Sequence, residues 1–295
     1  MSTLSELFVP AAPEVREVCL AKHHETSALI VIKQDTAWRW LERQGVQWEI
    51  GALFDAPLVI TRAALQRLAH RCTGMGEVVY AVGGGRAADA AKYVAHVLGL
   101  PWVCVPSALS CLAFFTAHVE LWTLSGWEHE EATPAAALLL DWALIGSAPP
   151  LYRAAGVVDV LSMITACETW RRDAELHAPY VPEVAALARA IADMVIACAP
   201  QAHEGEVSAL RTLAMALALT AQLERWLGHA RVRIGEEHAL AWRAYTLAAG
   251  ATWRGEPAPV PFTYAHLLAA GILEAAQQQG QDLAALRDAL RAWRP

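Results

Sequence analysis

The run VVYAVGGGRAADAAKYVAHVLG, residues 78–99, constrains this chain more than any other stretch. A β-branched apolar run enters Gly83, Gly84 and Gly85 and leaves as an amphipathic helix from about Ala87. Glycine lets the backbone turn within so few residues and lets a phosphate approach it. The N–H groups opening the helix add donors and a favourable dipole. This is the physics of dinucleotide binding, but the spacing is not the ordinary GxGxxG. The pattern alone therefore leaves open a glycine-rich strand–helix turn that holds no ligand.

The surrounding pattern extends the constraint. Residues Ala28 to Ile32, Leu58 to Ile60, Glu77 to Val82 and Trp102 to Val105 read as strands, with helical periodicity between them. That alternation predicts a parallel sheet covered by helices over 1–150. After about Pro150 the β signal fades. Ala/Leu-rich segments at 151–172, 182–199, 206–228, 236–250, 262–278 and 281–293 predict an all-helical domain over 151–295, with breaks at Pro179, Pro182 and Pro200.

Composition narrows the function classes. With 56% hydrophobic and 18% charged residues the chain can bury a sizeable core. A net charge of −7 with no basic run leaves no electrostatic footprint for nucleic acid or an anionic membrane, so a small-molecule substrate is expected. The N-terminal MSTLSELFVPAAPEVREV lacks the basic start and apolar core of a secretory signal. Apolar stretches such as Leu213 to Leu223 stop short of the ~20 residues that cross a bilayer, which predicts a cytoplasmic protein. Cys19, Cys72, Cys104, Cys111, Cys167 and Cys198 form no CxxC pair and read as buried thiols. The 12 tryptophans fit the core or a subunit interface, so a homodimer is an admissible assembly.

From Gly83 onward, GGGRAADAAKYVAHVLGLPWVCVPSALS resembles the GGGxxxDxAKxxA…PxxxVPTxxS block of the iron-containing alcohol dehydrogenase and dehydroquinate synthase superfamily. It is most similar to the sn-glycerol-1-phosphate dehydrogenase branch. Gly84, Gly85, Asp89, Lys92, Ser107 and Ser110 stand on its motif positions. The resemblance implies a Rossmann-like parallel-sheet domain followed by an all-α domain, as in dehydroquinate synthase. It also implies that Gly83, Gly84 and Gly85 hold the pyrophosphate of NAD or NADP, with the serine after the proline lying along the cofactor. An Asp early in the chain approaches the nucleotide in that family, and Asp35 in VIKQDTAW matches it loosely. Asp35 reads equally well as a helix cap or turn residue.

Three residues of the helical half are metal candidates: Asp159 in RAAGVVDVLSMITA, His238 in RIGEEHALAW and His266 in PFTYAHLLAAG. Their spacing proves nothing by itself, and a histidine on an apolar helix is usually a core residue. The three segments are similar to the family's RAGxGDxLS, GSEHxxSH and HGExVG. That implies one divalent metal held by Asp159, His238 and His266. An Asp with two neutral imidazoles suits Zn²⁺, Fe²⁺ or Ni²⁺, with a position open for a substrate oxygen. The implied chemistry is hydride exchange between an alcohol and nicotinamide, with the metal as Lewis acid.

Several positions depart from the family. Leu112 and Ala113 stand where an Asp-Gly pair is usual, Met163 replaces a lysine, Trp242 a second histidine, and Leu267 and Leu268 a Gly-Glu. Each change swaps a polar group for an apolar one, so glycerol-1-phosphate is not the expected substrate. His118 and Glu120 are candidate catalytic acid/base groups, the alternative being a pair on a strand surface. Arg153 reads as an anion contact or a salt-bridge residue, and Glu236 and Glu237 as outer contacts of His238 or helix N-terminal charge. A dehydroquinate-synthase-like cyclase or a scaffold of the same fold without turnover are the competing readings.

Overall fold

A computed structural model describes residues 13–25, 27–123, 126–253 and 263–293. The first twelve residues, read above for a signal segment, and Phe262, read as the start of a helix, lie outside the described residues. The chain divides into two compact units, Met1–Arg153 and Ala154–Pro295.

In the first unit the elements run β1 (Glu14–Glu17), β2 (Leu29–Lys33), α1 (Asp35–Arg43), β3 (Ile50–Asp55), α2 (Arg62–Cys72), β4 (Val78–Gly83), α3 (Gly85–Leu98) and β5 (Trp102–Pro106). Then follow β6 (His118–Thr123), β7 (Gly126–Glu131), β8 (Ala137–Leu140), α4 (Trp142–Ser147) and α5 (Pro150–Arg153). Six strands form one parallel sheet in the order β1-β8-β5-β4-β2-β3. Successive side chains alternate faces. Leu29, Val31, Tyr80, Val82, Val105 and Leu139 therefore pack with Ala37 and Leu41 of α1 on one side. Ile30, Ile32, Val79, Ala81 and Cys104 are left for the opposite face, where α3 packs on β4. Burial on both faces explains why these strands read as nearly unbroken apolar runs.

Leu58 to Ile60 is not a strand. The edge strand is β3, whose residues alternate between half-buried and exposed, while Leu58, just after Pro57, is 84% exposed. An edge strand needs only one buried row, so its apolar signal is weak. The chain runs from β2 to β3 in one direction across the sheet and returns past β2 to place β4, β5 and β8 on the other side. The order thus reverses between β2 and β4, and ligands of open α/β sheets bind outside the strand C-termini at such a point. The glycine turn closes β4 at this position. β6 and β7 form a separate antiparallel ribbon.

The second unit is helical: α6 (Gly156–Leu161), α7 (Met163–Arg172), α8 (Pro182–Glu204), α9 (Val207–Leu227), α10 (Glu236–Trp253), α11 (Tyr264–Gln278) and α12 (Ala284–Ala289). The expected helix 151–172 is broken into α5, α6 and α7. Although an 18-residue window within Pro150–Arg172 has a mean hydropathy of 1.2, 67% of that window is buried within the protein, as suits core segments. Pro200 lies inside α8 rather than ending it, and the helix stops at Gly205, which takes the left-handed conformation. All six cysteines are free, and Cys19 is exposed, unlike the others.

Candidate functional site

At the switch point, Gly83 has φ of 150°, and a Cβ there would lie 2.6 Å from the Gln34 Oε1. A Cβ on Gly85 would lie 2.7 Å from the Cys111 Sγ. The φ of Gly83 favours a bare residue there, and a side chain at 85 would require Cys111 to turn aside. The Gly84 N–H donates to Gln34 Oε1 at 2.6 Å, so an acceptor oxygen already sits where a phosphate oxygen would be held. Ser110 Oγ borders Gly84, and the Ser107 N–H donates to the Gly83 carbonyl at 3.0 Å, joining the β5 end to the turn. The turn thus has the bare backbone, the donor and the helix start that a pyrophosphate requires. Asp35 opens α1 beside it, exposed and ion-paired to Lys33 and Arg39, and Lys33 holds its carboxyl below the usual range.

Asp89 and Lys92, which motif position assigns to the cofactor, lie on the buried side of α3. Lys92 Nζ donates to Asp89 Oδ1 (3.2 Å), Thr116 Oγ1 (3.0 Å) and the His118 carbonyl (2.6 Å). An ammonium has three donors, and all three are engaged. Burial pushes the Asp89 carboxyl up to about 7 against the pull of Lys92, and the Glu120 backbone also donates to it. The pair straps α3 to β6 and offers a ligand no free group.

His118 and Glu120 therefore sit on a strand, as the alternative reading has it. The strand brings them to a residue that sequence reasoning missed: His129 on β7 faces Glu120 across the ribbon. The His118 and His129 rings stack with centroids 4.3 Å apart. One ligand-type atom from each of His118, Glu120 and His129 lies within 4.8 Å of the other two.

In the helical unit, Asp159 lies in the first turn of α6, His238 in that of α10 and His266 in that of α11. Helix α11 packs against both α6 and α10. Gly271 lets it lie on the α10 backbone, since a Cβ there would collide with the Glu237 carbonyl oxygen. Glu237 is fully buried and accepts from Gly235 N–H (2.6 Å), His238 Nδ1–H (2.9 Å) and Thr165 Oγ1 (2.8 Å). It is the outer contact of His238, whereas Glu236 pairs with Arg172 at the surface.

As arranged, the two histidines are turned to neighbours within the helical unit. His266 Nδ1 accepts from the Thr263 N–H at 3.1 Å and lies 2.9 Å from the Thr263 Oγ1, and burial lowers this histidine's pKa. His238 Nε2, the nitrogen left for a metal, faces the donor Arg233 Nη1 at 3.4 Å. Arg233 is itself buried and paired to Glu224 at 2.6 Å. Among the described residues, Asp159, His238 and His266 do not form a converging ligand cluster. Gln34, Glu224 and Arg233 carried no sequence signal because each acts through a partner distant in the chain or buried by the fold. Arg153 turns to the backbone, donating to the Ala148 carbonyl at 3.0 Å.

Residues 2–149 match the family model described as iron-containing alcohol dehydrogenase. Over 210 residues the chain is 30% identical to a glycerol-1-phosphate dehydrogenase [NAD(P)+] of Methanothrix thermoacetophila, covering 69% of this chain and 59% of that one. Over 227 residues it is 28% identical to the Pyrococcus furiosus protein of the same name, covering 75% and 66%. The chain thus spans less than two thirds of the length of these curated relatives. A probable glycerol dehydrogenase from Sinorhizobium meliloti has the same fold, with a TM-score of 0.64 at 19% identity, covering 98% of this chain and 76% of that one.

Proposed function

This chain belongs to the iron-containing alcohol dehydrogenase family, and we propose that it is an NAD(P)-linked oxidoreductase interconverting an alcohol and its ketone or aldehyde. The observation that carries this reading is the glycine turn that ends β4 at the switch point and opens α3. Gly83, Gly84, Gly85 and the start of α3 would hold the pyrophosphate, with Gln34 yielding its place and Ser107 and Ser110 alongside. NAD(P), when bound, takes up or delivers the hydride. The buried Asp89–Lys92 pair positions α3 without touching the cofactor.

The proposal assigns no step to Asp159, His238 and His266: His238 Nε2 faces Arg233 Nη1 and His266 Nδ1 accepts from the Thr263 N–H. The proposed substrate is an apolar alcohol rather than glycerol-1-phosphate. Leu112, Met163 and Leu268, which replace polar residues of the family pattern, are buried in the core and offer no hydrogen-bond donor to a phosphate. A second reading, a silent member of the same fold, is favoured by Gln34 occupying the Gly84 donor.

Titration of the full chain with NADH and NADPH, followed by tryptophan-to-nicotinamide energy transfer, separates the two. Saturable binding that weakens in Gly84→Val, with nicotinamide turnover in a screen of apolar alcohols, supports the oxidoreductase. Binding without turnover, or no binding, leaves the silent member.

A further inference from the structure

We propose that His118, Glu120 and His129 form a binding site for a divalent cation of borderline hardness, with Zn²⁺ as its probe. The ribbon register places Glu120 directly opposite His129 and His118 opposite Glu131, and the period of two puts all four on one face. The Glu120 Oε1 lies 3.7 Å from the His129 Nε2. Two imidazoles and a carboxylate are the donor set of zinc and of non-haem iron sites, and three protein ligands leave coordination positions open for water or a ligand. Glu131 adds negative charge on the same face, which favours a cation.

The backbone beneath the site is held in place. Lys92 Nζ donates to the His118 carbonyl at 2.6 Å, the Glu120 backbone donates to Asp89, and the Trp122 N–H donates to the Ile60 carbonyl at 2.7 Å. Ligand positions on an anchored strand are preorganised, and zinc–nitrogen distances of about 2.0–2.1 Å are reached by rotating the stacked, partly exposed rings toward one another. The contrast with the helical trio is direct. There one histidine is turned to the Thr263 cap and the other faces a guanidinium, whereas the hairpin side chains already converge to within 4.8 Å. This site does not depend on the oxidoreductase reading.

The test uses the full chain, stripped with chelator and dialysed, titrated with Zn²⁺ by calorimetry and with Co²⁺ by visible absorption. One equivalent is expected, weakened at least about tenfold in His129→Ala and in Glu120→Gln, and unchanged in Asp159→Ala. The His129 side chain is 36% exposed, so the variant tests the ligand rather than the core. A readout that needs no variant is the imidazole nitrogen spectrum of histidine-labelled wild type, in which His118 and His129 should shift first as Zn²⁺ is added. Wild-type affinity in His129→Ala, no bound metal in wild type, or an equivalent lost in Asp159→Ala but kept in His129→Ala would each overturn the proposal. NAD(P)H titration of the same samples reads the oxidoreductase hypothesis separately.

Discussion

Each unit of this chain buries a cation against a carboxylate, and the two pairs serve different ends. In the sheet unit, Lys92 is fully buried beside Asp89, and its ammonium is satisfied by a carboxylate, a hydroxyl and a backbone carbonyl. In the helical unit, Arg233 pairs with Glu224 at side-chain exposures of 4% and 7%, and its guanidinium also reaches the ring of His238. An ammonium is a compact point charge that three neighbours can enclose, while a guanidinium is a planar fork that extends to a second partner. The first pair is therefore a strap that fixes β6, and the second intrudes on a histidine that family resemblance assigns to a metal.

The sharpest way to break the comparison is Lys92→Met, which leaves the Asp89 carboxyl buried without its cation. Removing one partner of a buried pair costs about 3–5 kcal/mol, so urea unfolding should show a loss in that range. A loss below about 1 kcal/mol would mean that the strap holds nothing. Arg233→Met alone should cost a comparable amount, about 3 kcal/mol, because Glu224 is left buried. The double variant Arg233→Met/Glu224→Met should recover most of that stability, since replacing a buried pair by apolar side chains of similar volume is often neutral. It should also let His238 bind Zn²⁺ more tightly than in the wild type. Unchanged Zn²⁺ affinity there would show that the guanidinium does not compete for the ring.

Glu237→Gln sharpens the same contrast. The amide oxygen can keep the Gly235 N–H and His238 Nδ1–H while its NH₂ donates to the Thr165 hydroxyl, which still donates to the Ser162 carbonyl, so only the charge is lost and Tm should fall by the equivalent of about 1–1.5 kcal/mol. The smallest effect belongs to Gln34→Ala, which removes one hydrogen bond to Gly84 worth about 0.5–1.5 kcal/mol. The same change should tighten NAD(P)H binding, because the vacated N–H becomes available to the pyrophosphate. Weaker binding would make Gln34 a cofactor contact instead of a stand-in.

Much of the fold was legible along the chain. The buried strands β2, β4 and β5 announce themselves because both faces are covered and the apolar run is continuous. Helices α8 and α9 show their period over many turns. Strands β1 and β3 were hidden, being polar or half-exposed edges, and β8 is a four-residue apolar run set among alanines. Leu58 to Ile60 misled because an apolar triplet outside any pairing looks like a short strand.

The candidate site divides in the same way. Local sequence determined the bare glycine turn and the helix it opens, because a turn of that kind depends on residues adjacent in the chain. It also placed Asp159, His238 and His266 on helices. Only the tertiary structure decided what occupies the neighbouring donors and acceptors. Gln34 meets Gly84 across 50 positions, and Thr165 reaches Glu237 across 72. Ribbon register sets Glu120 against His129. Hydrogen bonds and ligand clusters form between whichever groups the packed elements bring within a few ångströms, and no period in the sequence encodes that distance.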